Sequence, residues 1–263
     1  MIDQNQNELI LEIRDKIAFI TLNRPNQHNA LSKSLLESLN DNLDEIKKDN
    51  RVKVAIIFAN GKSFCSGHDL LEIKNTDNKE AFKQLFELCS KVMTKILRLQ
   101  KPVIAGIQGT ATAAGCQLVA SCDLAVASEN ATFATPGVNI GLFCSTPMVA
   151  LSRNVGRKHA MEMLLLGDSI NTEKALEIGL INRIVQAEIL EEETINLALK
   201  IASKSSKILS IGKDAFYKQL EMDIEQAYKY TSEIMTKNML ELDAKEGIDA
   251  FIKKRTPQWK EDN

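Results

Sequence analysis

Residues 101–123, KPVIAGIQGTATAAGCQLVASCD, limit the fold more than any other stretch of this chain. The β-branched run Val103–Ile107 predicts a buried strand, residues 109–113 a loop of small side chains, and the apolar residues after it a short helix whose polar member is Gln117. A strand that passes through a tight loop into a helix start aims backbone N–H groups outward. The first amides of a helix have no internal partner and carry partial positive charge. Such a turn can hold an oxygen that becomes negative during a reaction. The same order, a strand followed by Gly and small residues, recurs loosely after residues 54–58 and 124–127, in the manner of a coiled succession of β-β-α turns.

On either side, strands and helices alternate. Leu9, Leu11 and Ile13 share one strand face and a second apolar run spans Ile17–Leu22, so Arg14-Asp15-Lys16 between them predicts a hairpin. Ser32 precedes a helix with apolar residues at 35, 36, 39, 43 and 46, and residues 78–99 predict a long amphipathic helix with Phe82, Leu85, Phe86, Cys89 and Val92 toward the core. Beyond Gly156 the reading is helical, with Gly167 and Gly179 as helix ends and no further strand-rich block. A chain of 263 residues suits one core with an appendage.

A net charge of −2, with 44% hydrophobic and 26% charged residues, gives no basic surface for nucleic acid. No apolar run approaches the ~18 residues that span a membrane. The N-terminus MIDQNQNELILEIRDK is polar and acidic rather than apolar or arginine-rich, which predicts a protein that stays in the cytoplasm, or a matrix-like space, where it is made. Cys65, Cys89, Cys116, Cys122 and Cys144 form no CxxC pair and no ligand rhythm with the three histidines, so they predict reduced thiols and no metal. Cys116 and Cys122, in an apolar helix, read as inert core. GTATAAG matches neither standard phosphate-binding loop, and without GxSxG neither His68 nor His159 has a placed nucleophile.

Six segments together resemble the enoyl-CoA hydratase/isomerase, or crotonase, family: NRPNQHNALS (23–32), SFCSGHDL (63–70), IQGTATAAGCQLVASCDLAVAS (107–128), ATFATPGVNIGLF (131–143), GRKHAMEMLLLGDSINTEKALEIGLINRIV (156–185) and EGIDAFIKKRTPQW (246–259). The resemblance implies an α/β fold, with a spiral of β-β-α turns over residues 1–190 that binds acyl-CoA. Residues 191–263 would form a C-terminal helical region that trimerises and contacts coenzyme A, in a homotrimer or a dimer of trimers. The implied partner is an acyl-CoA thioester, with coenzyme A entering as part of the substrate and no cofactor permanently bound. Its carbonyl oxygen would lie between the backbone N–H groups of His68 and Ala114. Backbone at Asn29 and Ala30 and from Ser66 through Gly67, His68 and Asp69 to Leu70 would lie near the adenine, and Phe251 and Lys254 would reach the phosphates across a subunit interface.

Within the resemblance this chain departs from the family pattern. The glycine triplet of the Gly-rich turn is here Ala113-Ala114-Gly115, which keeps its amides provided φ stays negative, as at a helix start. The two glutamates with which family hydratases add water fall on Gln117 and Gly137. An amide moves no proton at neutral pH and glycine has no side chain, whereas positioned acid–base groups contribute ~10²–10⁴ each. The resemblance therefore implies an enoyl-CoA hydratase scaffold that stabilises a thioester enolate in fatty-acid or related acyl-CoA metabolism, without ordinary hydratase chemistry. The alternative is a non-catalytic acyl-CoA binding or regulatory protein. Asp69, Glu72, Thr135, Asn139, Cys144 and Ser145 are the other polar groups available to orient a water or a polar acyl group. Small side chains in both loops are also what a close crossing of chain segments requires, so both readings stand on sequence alone.

Overall fold

A computed structural model describes residues 7–76 and 78–260. The first six residues of the polar N-terminus, on which the localisation expectation drew, and the outer ends of the two expected regions lie outside the described residues. The chain opens with the expected hairpin, β1 (Leu9–Arg14) antiparallel to β2 (Ile17–Leu22). Its two turn residues, Asp15 and Lys16, have φ of 51° and 67°, the left-handed conformation that a two-residue hairpin favours. The Ser32 hydroxyl then accepts the Leu35 N–H at 3.1 Å and starts α1 (Lys33–Lys48), which buries Leu35, Leu36, Leu39, Leu43 and Ile46.

Three successive turns of chain build the rest of the core. The first runs β3 (Val54–Ala59), β4 (Ser63–Cys65), α2 (Leu70–Lys74) and α3 (Lys79–Arg98); the second runs β5 (Val103–Ile107), β6 (Thr110–Thr112) and α4 (Ala114–Ser121). The third runs β7 (Leu124–Ser128), β8 (Thr132–Ala134), a 3-10 turn at Pro136–Ile140, α5 (Pro147–Asn154) and α6 (Arg157–Leu166). Strands β3, β5 and β7 pair in parallel in one sheet and β4, β6 and β8 in parallel in another, so each turn adds one strand to each sheet. This is the β-β-α spiral. Two readings change. Residues 109–113, expected as loop, contain β6, and strands do form beyond residue 156: β9 (Ile170–Asn171) pairs with β8, then α7 (Thr172–Glu177) leads to β10 (Arg183–Val185) beside β7. Strands of two or three residues carry too few side chains for alternation to appear in sequence. The small side chains answer to close approach: a Cβ on Gly115 would lie 2.1 Å from the Cys65 carbonyl oxygen.

The central strands of the six-stranded sheet are buried on both faces, which is why β3 and β5 read as unbroken apolar runs. Ala18, Ile20, Ala55, Ile57, Ala105 and Ala127 face the main core with α1, α3 and α4. Phe19, Ile56, Ile104 and Val126 face Leu190, Ala198 and Ala202 of α8 (Leu190–Ala202), so this helix is a layer of the core. Then follow α9 (Ser206–Gln219), α10 (Ile224–Leu240) and α11 (Leu242–Ile252). Lys213 and Tyr217 dock α9. The Lys213 ammonium donates to Asp123 Oδ2 at 2.6 Å and to the carbonyls of Ile96 and Lys101, while the Tyr217 hydroxyl donates to Asp123 Oδ1 at 2.8 Å. Among the described residues, no helix is long and apolar enough to cross a membrane.

Candidate active site

The SFCSGHDL loop leaves β4 and is held from behind by Arg24. Its guanidinium meets Glu8 Oε1 and Asp69 Oδ2 at 3.0 Å each and donates to the Ala30 carbonyl. Burial by itself would raise the Asp69 carboxyl, but the hydrogen bonds from Arg24 and from the Glu72 and Leu71 amides outweigh it and hold the group below the usual carboxylate range. Asp69 is thereby committed to the Arg24 contact and to capping α2. Leu31 N–H donates to the Gly67 carbonyl at 2.7 Å and Asp69 N–H to the Leu31 carbonyl at 3.2 Å, a one-residue parallel bridge between Leu31 and His68. Successive amides of an extended strand point to opposite edges, so the His68 N–H faces away from Leu31.

Gly67, just before His68, packs on the start of α4. Ala113 N–H donates to the Ala134 carbonyl, and α4 begins at Ala114, whose amide has no intrahelical acceptor. Gly67, at φ 97°, is packed so closely on this turn that a Cβ there would lie 2.9 Å from Ala113 Cβ and 3.4 Å from Ala114 N. The Gly67-His68 segment and the Ala113-Ala114 turn are thus in contact. The expectation of negative φ in this turn fails at Ala113, which caps α4 at φ 50° and ψ −117°. The tight passage from β6 into α4 imposes that conformation, and a Cβ tolerates it poorly. Ala113→Gly is expected to raise stability by about 1 kcal/mol, the strain relieved less the entropy added to the unfolded chain, seen as a Tm increase of about 2–4 °C. An unchanged or lower Tm means that this residue stores no strain.

Buried polar atoms are normally hydrogen-bonded. Three that have no partner among the described residues fall on the three segments that form the site: His68 Nε2 on the first loop, Gln117 Oε1 on α4, and Thr135 Oγ1 just after β8. The His68 ring stands edge-on to Phe86 at 5.3 Å, and burial pushes its pKa down to about 4, so it is neutral at pH 7. Gln117 is 4% exposed. At Gly137 the chain has closed over the side-chain position: a Cβ would lie 2.7 Å from the Leu142 carbonyl oxygen and 2.9 Å from Cys144 Sγ. Leu142 N–H donates to the Gly137 carbonyl at 2.9 Å and fixes this fold-back. Burial raises the Cys144 thiol, with the Gly137 amide pulling the other way, and pushes Cys65, Cys89 and Cys116 up to about 12. All five cysteines are free and buried.

The coenzyme A expectations divide by element. Asn29, Ala30 and residues 66–70 lie together, joined by the Leu31 bridge and by Ser66 N–H donating to the His28 carbonyl. Asn29 is fully buried at φ 53°; its side chain accepts from Arg24 N–H and donates to the Asn60 and Ser63 carbonyls, which leaves only its backbone for a ligand. Leu70 is exposed. Phe251 and Lys254 lie at the end of α11, a separate element that packs on α9 and α10, and Phe251 is 86% exposed. Sequence reasoning missed Arg24 as a shaper of the site, and it offered Cys144 as a polar group rather than as the side chain that crowds position 137. Arg24 precedes a proline at the end of β2, but its ion pair spans 45 positions and leaves no local trace.

The sequence matches the family model for enoyl-CoA hydratase/isomerase over residues 12–262, and the chain belongs to that family. It is 49% identical over 245 residues to the human protein named enoyl-CoA hydratase domain-containing protein 3, mitochondrial, covering 93% of this chain and 81% of that one, and 48% identical to its rat counterpart over 246 residues, covering 94% and 82%. The stretches AAGCQLVASCDLAVAS and FATPGVNIGLFCSTP resemble the same branch. Among solved structures, human enoyl-CoA hydratase domain-containing protein 3 superposes with a TM-score of 0.94 at 48% identity, covering 96% of this chain and all of that one. An enoyl-CoA hydratase from Mycobacterium smegmatis gives 0.95 at 45% identity, covering 97% and 99%. The cytoplasmic expectation is contradicted, because the human, rat and mouse relatives are named as mitochondrial proteins. Compartment is set by targeting segments apart from the fold, so the charge and cysteine pattern of the domain does not carry it.

Proposed function

We propose that the protein binds acyl-CoA thioesters and stabilises their enolates between the His68 and Ala114 amides. The observation that supports this reading is the packing of Gly67 on the Ala113-Ala114 turn, which brings the segments carrying the His68 and Ala114 amides into contact. Preorganised donors of this kind act on charge that develops during reaction, and removing one typically costs about 10²–10³ in rate. Neither position 117 nor position 137 offers a carboxylate, and position 137 has no room for one, so proton transfer falls to water, to the substrate or to the neutral His68 imidazole. The same two positions favour a second reading, an acyl-CoA binding or regulatory protein without turnover. Large exposed apolar side chains on α9 and α10, among them Phe216, Tyr228 and Met235, support assembly as a homotrimer or dimer of trimers, in which Phe251 and Lys254 would meet a neighbour's ligand. Calorimetry with coenzyme A and a series of acyl-CoA thioesters is expected to give micromolar or tighter binding that needs the acyl group. Absence of affinity for every thioester would sink both readings, and protein-dependent turnover of any one of them separates the first from the second.

A further inference from the structure

Beside the candidate site, a groove of about 660 Å³ runs along α3 from Lys83 to Arg98, with Thr146 also lining it. It adjoins both loops of the site. Phe86, which lines it, holds its ring against His68, and Thr146 is two residues beyond Cys144, the residue whose sulfur fills the space at Gly137. The groove is also charged. Lys83, Lys91, Lys95 and Arg98 line it against the single acid Glu87. Lys95 is committed to Asp44 at 2.7 Å and to Asn40, and Lys83 lies 3.9 Å from Glu87. Lys91 and Arg98 form no ion pair among the described residues. By helix rise, Lys91 lies about 7.5 Å and Arg98 about 18 Å past Phe86 along the α3 axis. A chain that starts at the two amides and crosses the Phe86 ring therefore runs from an apolar floor toward two cations that no ion pair engages, although Asp44 lies within electrostatic reach of Lys91.

We infer that this groove receives an acyl chain ending in a carboxylate, so that the preferred ligands are ω-carboxyacyl thioesters of coenzyme A rather than acyl groups ending in methyl. This rests on the acyl-CoA reading above and adds Lys91 and Arg98 as specificity-determining residues. A methyl-ended chain gains only the apolar contact with Phe86, whereas a terminal carboxylate also gains charge-assisted hydrogen bonds. The matched eight-carbon pair, octanoyl-CoA and suberyl-CoA, isolates the end group. Calorimetry on the full chain is expected to show suberyl-CoA binding about tenfold tighter at low salt, with the preference shrinking as salt is added. In Lys91→Gln/Arg98→Gln the preference should vanish while octanoyl-CoA affinity stays as in the parent, which also reports an intact fold. Equal affinity of the parent for both thioesters overturns the inference and leaves the acyl-CoA reading standing, as does a preference that survives in the variant. Binding of neither thioester overturns the inference, and the acyl-CoA reading falls with it only if the other thioesters of the series fail to bind as well. A fall in sedimentation mass of the variant assigns these cations to a contact between copies of the chain, and the inference then fails.

Discussion

Gly137→Glu, alone or together with Gln117→Glu, is expected to lower the Tm by about 10 °C and to leave crotonyl-CoA hydration at the parent level. Placing at these positions the two glutamates that the family resemblance implies would suffice if they were merely missing. The backbone has instead folded over position 137, where the nearest obstacle to a Cβ is the Leu142 carbonyl oxygen at 2.7 Å, and a main-chain oxygen cannot swing aside as a side chain can. Overpacking of this kind costs about 1–3 kcal/mol, and a carboxylate driven in without partners adds a similar amount. For a chain of this size each kcal/mol corresponds to about 2–4 °C. Gln117→Glu alone is a near-isosteric change at a side chain whose Oε1 is already unpartnered, so most of the loss should come from position 137. Thermal melts and the absorbance of the enoyl thioester decide the matter. A double variant that melts with the parent and hydrates crotonyl-CoA quickly would show that residues 138–144 open readily, and the account of the closed loop would be wrong.

The second large effect is expected at the junction of α9 with the core. Lys213→Met removes the cation from an ion pair whose side chains are 7% and 16% exposed, leaving the Asp123 carboxylate with the Val103 amide and the Tyr217 hydroxyl. Breaking a buried pair from one side typically costs about 3–5 kcal/mol. The two surviving donors place the expected loss near the lower figure, about 3 kcal/mol by denaturant unfolding. Lys213→Met/Asp123→Asn should recover a good part of it, because no charge is then left unpaired. A loss under 1 kcal/mol in the single variant would mean that the Lys213 ion pair contributes little to holding α9, which then rests on Tyr217 and its apolar contacts.

How much of this was legible beforehand can be judged from particular residues. The hairpin, α1 with its Ser32 cap, α3 and the terminal helices follow from periodicity and end signals that lie within a few positions of one another. The two amide-bearing loops and the absence of carboxylates at positions 117 and 137 were equally open to reading, since they are matters of residue identity and order. The strands β4, β6 and β8 were not, nor were β9 and β10. Each has two or three residues and exists only through pairing with a neighbour distant in the chain. Of the two explanations for the small residues, the close crossing is visible: Gly115 is small because Cys65 backbone presses on it, and the same contact brings the two loops together.

By itself, then, the sequence determined the class of fold, the order of its elements and which chemical groups are present or missing at the two decisive positions. The tertiary structure alone decided that Gly67 meets the Ala113-Ala114 turn, that Ala113 takes a positive φ, and that Cys144 and the Leu142 carbonyl occupy the place of a side chain at residue 137. Propensity and periodicity act between neighbours along the chain and are written there. Contacts between residues such as Gly67 and Ala113 depend on how the whole spiral closes, and no local pattern records them.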